Sequence, residues 1–550
     1  MNKKLSGVVA VILCVSMLFA GCGKEENITV STENDKNVTE SGALPIVKEK
    51  ITLEIGLKSN PKVEDFDTNA FTLFLEEKTG IDLEFFTFAS TGANEKLNVM
   101  LGSNTELPEV LMGFSLKDSV FLDYADQGIF VPLNDYIEKY GYWTKKMFEA
   151  SLTEDLERYM ISADGNYYWM PSYTEQRGNE YGGKAWINKK WLDKLGLEVP
   201  KTTEDLREVL KAFKTKDPNG NGKADEIGFT GSKDGWNEAA WKFLTNSFVY
   251  HNYADMVTVD DNHKVSYTYV DPEFKEALKY LNSLVEEGLF DVQSFTQDKN
   301  IFRALAASED VVLGVFATGS PDVMHSENME RLKEYVALPP LEGPKGVAYA
   351  YKNTSAPKCM GVITKYCENP LAAFRLMDFM LSEEATLFSR YGVKGTDWTE
   401  AKETDICLFG DIGVKPRINQ ILEYGAKQNS HWYQINPEFR SSPIAEGMTW
   451  DGDELNGEYY KANALKEYMG KEPKNIFVKA LYTPEESEEY NELYNTIHNY
   501  ATENVAMFVT GRRDVDKEWD TFQKELDNMG LERFIELTQS GYDRFRGAKE

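Results

Sequence analysis

Ten residues, DPNGNGKADE from Asp217 to Glu226, set acids and amides on alternate positions with glycines between them. Side-chain oxygens at that spacing are the chemistry of a hard cation, calcium above all. A twelve-residue calcium loop takes oxygens at positions 1, 3, 5, 7, 9 and 12, with glycine at 6 for the turn. Counted from Asp217, the residues Asp217, Asn219, Asn221, the Lys223 carbonyl and Asp225 fill the first five, and Gly222 is the sixth residue. The twelfth is Gly228, however, and Glu226 stands at the tenth. IGFTG follows, too short and glycine-rich for an exiting helix, so a switch that opens a helix pair is excluded. Two readings stay open at this level: a static site closed by Glu226 from another direction, or a solvated Asn-Gly turn.

A second chemistry belongs to the aromatics. Sugar rings present an apolar C–H face to a flat ring and hydroxyls to Asp, Asn and Arg. Most of the 10 Trp, 29 Tyr and 30 Phe must be core. The exceptions to expect are those in polar, glycine-containing stretches. GNYYWMP offers Tyr168 and Trp169. GSKDGWNEAAW offers Trp236 and Trp241, with Asp234 and Asn237 beside them. AYAYKNTSAP offers Tyr351, and NSHWYQINPEFR offers Trp432, Tyr433 and Arg440. The ligand set read from these stretches is Trp169, Trp236, Trp241, Tyr351, Trp432 and Arg440, against ordinary packing for each.

Other chemistry finds less support. His251, His263, His325, His431 and His498 are scattered, with no HExxH and no paired spacing for zinc. No GxxxxGK[ST] loop occurs, and no GxGxxG follows a strand. A glycosidase needs two positioned carboxylates, and 90 acidic residues always allow some pair to be drawn. A net charge of −30 argues against nucleic acid or an anionic membrane surface as partner.

These residues need a body to hold them, and 550 residues with 42% apolar content suffice for more than one domain. Lys3 and Lys4 precede an apolar run, Leu5 to Ala20, and then Gly21 and Cys22. This is a secretory signal, not part of the fold. LFAGC resembles the lipobox of bacterial lipoproteins, with Phe19 where that family usually has leucine. The resemblance implies removal of 1–21 and acylation (palmitate) of Cys22, leaving the body lipid-anchored on the extracellular face of a bacterial membrane. The polar residues after Cys22 read as a flexible tether over 22–47. No later run is long enough to span a bilayer. Cys359, Cys367 and Cys407 remain, an odd number that suits free thiols better than a disulfide framework.

ITLEIGL (Ile51 to Leu57) alternates as a half-buried strand. NAFTLFLEEKTG follows as a helix closed by Gly80, and IDLEFFTF (Ile81 to Phe88) as a second strand. Strand, helix, strand at this spacing implies a parallel pair in an α/β lobe. A short buried strand is expected around Val110 to Met112. A second lobe starts near Trp186, where Leu206, Val209, Leu210 and Phe213 make one apolar helical stripe and Thr202 or Thr203 caps it.

The block WINKKWLDKLGLEVPKTTEDLREVLKAFKTKDPNGNGKADEIGF resembles large lipoprotein members of the extracellular solute-binding protein family 1, capture subunits of ABC importers that include alginate-oligosaccharide-binding proteins. EEKTGIDLEF, LGSNTELPEVLM, YLNSLVEEGLFD, VALPPLEGPKG and DFMLSEEATLFSRYGVKGTDW extend the likeness over most of the chain. The resemblance implies a two-lobe, periplasmic-binding-protein-like α/β fold of type II with a hinge, a ligand cleft and extra C-terminal helices. One lobe is expected at 48–165 with 301–354, the other at 166–300 with 355–550. It further implies a monomeric, non-enzymatic subunit that captures an oligosaccharide and passes it to ABC permease subunits, and a structural calcium site with Glu226 among the ligands. The alternatives are a surface glycoside-active enzyme or a non-sugar solute such as a peptide.

Overall fold

The computed structural model describes residues 34–547 apart from 104, 126, 326–327 and 423–425. The signal segment 1–21 and Cys22 lie outside the described residues. Ten strands form the two larger sheets. In chain order they are β1 (Ile51–Lys58), β2 (Ile81–Phe88), β3 (Val110–Met112), β4 (Trp169–Thr174), β5 (Ala185–Asn188), β6 (Ile227–Thr230), β7 (Leu313–Ala317), β8 (Tyr335–Leu338), β9 (Lys358–Ile363) and β10 (Glu438–Arg440).

The alternation in β1 has a direct outcome: Leu53, Ile55 and Leu57 are fully buried. The helix Ala70–Thr79 starts where the Asn69 side chain accepts the Phe71 N–H at 3.0 Å. It ends at Gly80, whose φ of 76° is left-handed and favours glycine. The chain returns as β2, parallel to β1 and in register from Ile51–Ile81 to Lys58–Phe88. In the second lobe Thr202 and Asp205 form a capping box on the helix Thr203–Thr215, and Leu206, Val209, Leu210 and Phe213 are buried.

The first sheet runs β10-β4-β9-β3-β1-β2 and the second β8-β5-β7-β6. Separate cores lie on each. Leu53, Phe71, Leu111, Met377 and Trp432 belong to the first lobe. Trp186, Leu210, Phe316 and the C-terminal residues Ile497, Phe522 and Phe534 belong to the second.

This pairing corrects the lobe boundaries expected from the sequence. Residues 301–354 belong to the second lobe, because β7 and β8 both pair with β5. Residues 166–174, 358–388 and 432–440 belong to the first, because β9 lies between β3 and β4, and β10 pairs with β4, whereas Leu408 and Phe409 between them pack in the second-lobe core. The C-terminal helices, from the long helix Pro484–Val509 to the closing helix Leu531–Arg546, return to the second lobe. The tether also needs correction. From Asn34 to Val47 the chain packs on the first lobe, with Ile46 and Val47 buried. There the Arg375 guanidinium donates to the carbonyls of Thr39 at 2.9 Å and Ala43 at 3.0 Å.

Cys359, Cys367 and Cys407 form no disulfide among the described residues. No helix among the described residues is long and apolar enough to cross a membrane.

Candidate ligand cleft and calcium loop

The chain crosses between lobes along Glu175–Lys184, along the stretch entering β9, and along 441–456 after β10. The crossings leave from the carboxyl ends of β4 and β10. In open α/β sheets, ligands bind beyond such ends. The crossings are tied to one another by charge-assisted bonds. Arg177 donates from its backbone N–H to Glu446 Oε1 at 2.7 Å and from its guanidinium to Oε2 at 2.6 and 3.0 Å. Glu175 accepts the Leu152 N–H at 2.7 Å on one oxygen and the Ser442 N–H at 3.0 Å on the other. Lys184, fully buried, donates to the carbonyls of Gly178 and Tyr181. Burial, with the Lys461 charge beside it, pushes its ammonium down to about 7.

The second-lobe wall of the cleft is built from the loops that leave β6 and β7. Gly319 donates its N–H to the Trp236 carbonyl at 3.1 Å. A Cβ on Gly319 would lie 2.5 Å from the Trp236 ring, so glycine is what lets the indole lie on the backbone. Trp236 is 45% exposed. Tyr351 stacks on Tyr253 at 4.5 Å and 9°, and Gly183 leaves room for the Tyr253 ring. On the first-lobe side, Arg440 ends β10, donates to Gln434 Oε1 at 3.2 Å, and keeps a buried Nε without a hydrogen-bond partner.

Of the expected ligand set, Trp236 lies in the loop after β6, Arg440 ends β10 on the side of the crossings, and Tyr351 is buried in the stretch before β9; the other three pack elsewhere. Trp432 is fully buried, edge-on to Phe71 at 5.3 Å and Phe85 at 5.5 Å, with Nε1 donating to Thr72 at 2.8 Å. Trp241 is core against Tyr269 and Phe274. Trp169 opens β4 opposite Val362, at the end of the strand away from the crossing, and is buried. The polar stretches that contain these tryptophans run over the lobe surface while the rings turn inward, where their area is worth most. Tyr253, not singled out from sequence, lies against Gly183 of the first crossing.

The loop Asp217–Glu226 connects the helix Thr203–Thr215 to β6 and so lies at the end of the sheet away from the crossings. Asp217 has φ 45° and accepts the N–H groups of Gly220 at 2.9 Å, Asn221 at 3.1 Å and Gly222 at 3.1 Å. The amides of Asn219 and Asn221 donate to Asp225 at 2.9 and 3.0 Å. Lys223 pairs with Asp310 at 2.6 Å, and Asn219 donates to the Val311 carbonyl at 3.2 Å. The loop is therefore bound to the segment that enters β7. Among the described residues no three Asp, Glu, His or Cys side chains converge as a metal cluster. The donor set still fits a hard cation, because Glu226 Oε1 is buried without a hydrogen-bond partner. Desolvation, then the charges of Asp225 and Asp217, raise its pKa.

Two α/β lobes joined by crossings at strand ends define a hinged solute-binding protein. The chain belongs to the bacterial extracellular solute-binding protein family, which matches residues 60–387. It is 29% identical, over 100% of both chains, to the fructooligosaccharide ABC transporter substrate-binding protein FusA of Streptococcus pneumoniae. The solved structure of FusA with kestose gives a TM-score of 0.71 at 26% identity, covering 90% of this chain and 100% of the other. That of a FusA EF-hand mutant with fructo-nystose gives 0.70 at the same identity and coverage. This chain is accordingly a binding protein and not an enzyme.

Proposed function

We propose that the protein is a monomeric, lipid-anchored capture subunit that binds an oligosaccharide between its lobes and delivers it to the permease of an ABC importer. The observation that carries this reading is Trp236, half-exposed on Gly319 at the strand ends that face the crossings. An exposed flat ring, with polar groups on the crossings beside it, is what a sugar ring and its hydroxyls require. Full-length similarity to FusA, a fructooligosaccharide-binding protein, supports the same ligand class. Ligand contacts to both lobes then shift an open–closed equilibrium, with the crossings as hinge.

Calcium enters as a brace, not a switch. Asp217, Asn219, Asn221, the Lys223 carbonyl, Asp225 and Glu226 would hold it, and its charge would offset the carboxylates that surround Glu226. The occurrence of an EF-hand in FusA supports this reading. Cys22 would carry the lipid on the extracellular face, on the strength of LFAGC.

The experiment is a neutral and acidic glycan panel titrated by calorimetry, with product analysis in parallel. Stoichiometric binding without turnover is expected; released sugar would overturn the capture role.

A further inference from the structure

Trp236 owes its position to a turn that is filled from the inside. Residues 231–239 join β6 to the short helix Ala240–Thr245. One limb is tied to the chain that enters the helix Lys299–Ala306: Lys233 donates its N–H to the Gln297 carbonyl at 3.1 Å, and Asp234 accepts the Lys299 N–H at 2.8 Å. At the tip, the Trp236 carbonyl is held by the Gly319 N–H. Just after it, Asn237 has φ 55° and sets its amide against Gly182 of the first crossing, where a Cβ would lie 2.5 Å from Nδ2. The turn that carries the ring therefore lies against that crossing.

Glu238 occupies the interior of the turn and is fully buried. Its carbonyl accepts the Ser232 N–H at 3.0 Å, which closes the loop. The Ser232 hydroxyl accepts the Gly235 N–H at 3.1 Å and donates to Glu238 Oε2. A Cβ on Gly235 would lie 1.8 Å from Oε2, and one on Gly231 2.0 Å from the Glu238 carbonyl oxygen, so glycine is required at both. Among the described residues Oε1 has no hydrogen-bond partner, and desolvation raises the pKa of the carboxyl. An apolar side chain would fill the same volume without the cost of a buried polar atom. What the carboxyl adds is the link, through the Ser232 hydroxyl, to the backbone of the residue before Trp236.

We propose that Glu238 is a positioning residue for sugar binding: it touches no ligand and acts through Trp236, by fixing the turn so that the indole stays seated on Gly319 and exposed. An anchor ring held in one orientation before the sugar arrives spares binding an ordering cost. The inference rests on the oligosaccharide-capture reading with Trp236 as anchor, and adds what orients that anchor.

The test is a double-mutant cycle on the full mature protein, read by calorimetry. Kestose, the sugar bound in the FusA structure, is the first probe, and the tightest binder of the glycan panel replaces it if kestose does not bind. Glu238→Ala should weaken binding by about ten-fold, the lower edge of what losing the anchor itself costs. Ser232→Ala should shift affinity in the same direction and carries the cycle if Glu238→Ala fails to fold. Glu238→Gln, which keeps the volume and an oxygen for the Ser232 hydroxyl, should bind like the wild type. In a Trp236→Ala background neither alanine variant should weaken binding further, because the effect passes through the ring. A loss of fold alone would instead lower affinity equally in both backgrounds. Equal losses with and without Trp236, or unchanged affinity in both alanine variants, would overturn the positioning role and leave the capture reading intact. Unchanged binding by Trp236→Ala, or no sugar bound by the wild type, would overturn the anchor or the capture reading itself, and the positioning role with it.

Discussion

Arg177 and Glu446 join the first and third lobe crossings through a backbone N–H and a bidentate guanidinium, the closest contact being 2.6 Å. Glu446 is fully buried, and Arg177 keeps its side chain 26% exposed. Removing one partner of such a pair strands the other's charge. Arg177→Ala should therefore destabilise the protein by roughly 3 kcal/mol, read as a lower urea midpoint. A shift no larger than that of an exposed arginine, such as Arg533, would show that water replaces the pair.

The two tryptophan environments separate binding from stability. Trp236→Ala should weaken sugar binding by about 10–100-fold, the range of a central aromatic anchor, with the melting temperature nearly unchanged. Trp432→Ala should instead cost roughly 3–5 kcal/mol of stability through the cavity it leaves. Calorimetry and thermal melts on both variants decide the assignment, and a reversed pattern would remove Trp236 from the cleft.

Calcium should act as a stability ligand. A cation at 100 times its Kd stabilises by about 2.7 kcal/mol, so a chelator should lower the melting temperature and calcium should restore it. Asp217→Ala and Glu226→Gln should each blunt that response. If Glu226→Gln responds like the wild type while Asp217→Ala does not, Glu226 is not a ligand.

Lys184 gives the hinge a pH signature. Its folded pKa of about 7 lies below the ordinary lysine value of 10.5, so between those values the unfolded chain holds the extra proton. Stability then rises with pH through that window, by at most about 1.4 kcal/mol per unit. The cost of the buried charge is full below pH 7. Urea midpoints of the wild type and Lys184→Met at pH 7, 8 and 9 should diverge in that sense, whereas a constant difference would mean that Lys184 titrates normally.

The anchor is tested in cells. Cys22→Ala should leave the protein unlabelled by a fatty-acid probe and released from the membrane; continued labelling would move the lipid elsewhere.

Much of the local structure is legible from residue order. Ile51–Lys58 alternates, Gly80 closes a helix, Thr202 and Asp205 open another, and each does so through contacts within a few residues. The calcium-type spacing of DPNGNGKADE is equally local. Lobe membership is not. β9 could have joined either sheet on pattern alone; its partners β3 and β4 are set by the register of Lys358 with Ser172 and of Ile363 with Val110.

The same limit governs the aromatics. Trp236 and Trp241 share one stretch of sequence, yet one is half-exposed on Gly319 and the other is core. Tyr490 and Tyr494 carry the spacing of a buried stripe, and the packing of the long helix sets them on the second-lobe core, stacked on each other with Tyr490 also on Phe534. Sequence by itself determined many of the elements and the calcium-type spacing, because these depend on short-range periodicity, and the kind of protein showed through the resemblance of its ordered motifs to a known family. Tertiary structure decided which strands share a sheet and which rings stay exposed, because burial depends on what the rest of the chain places opposite each side chain.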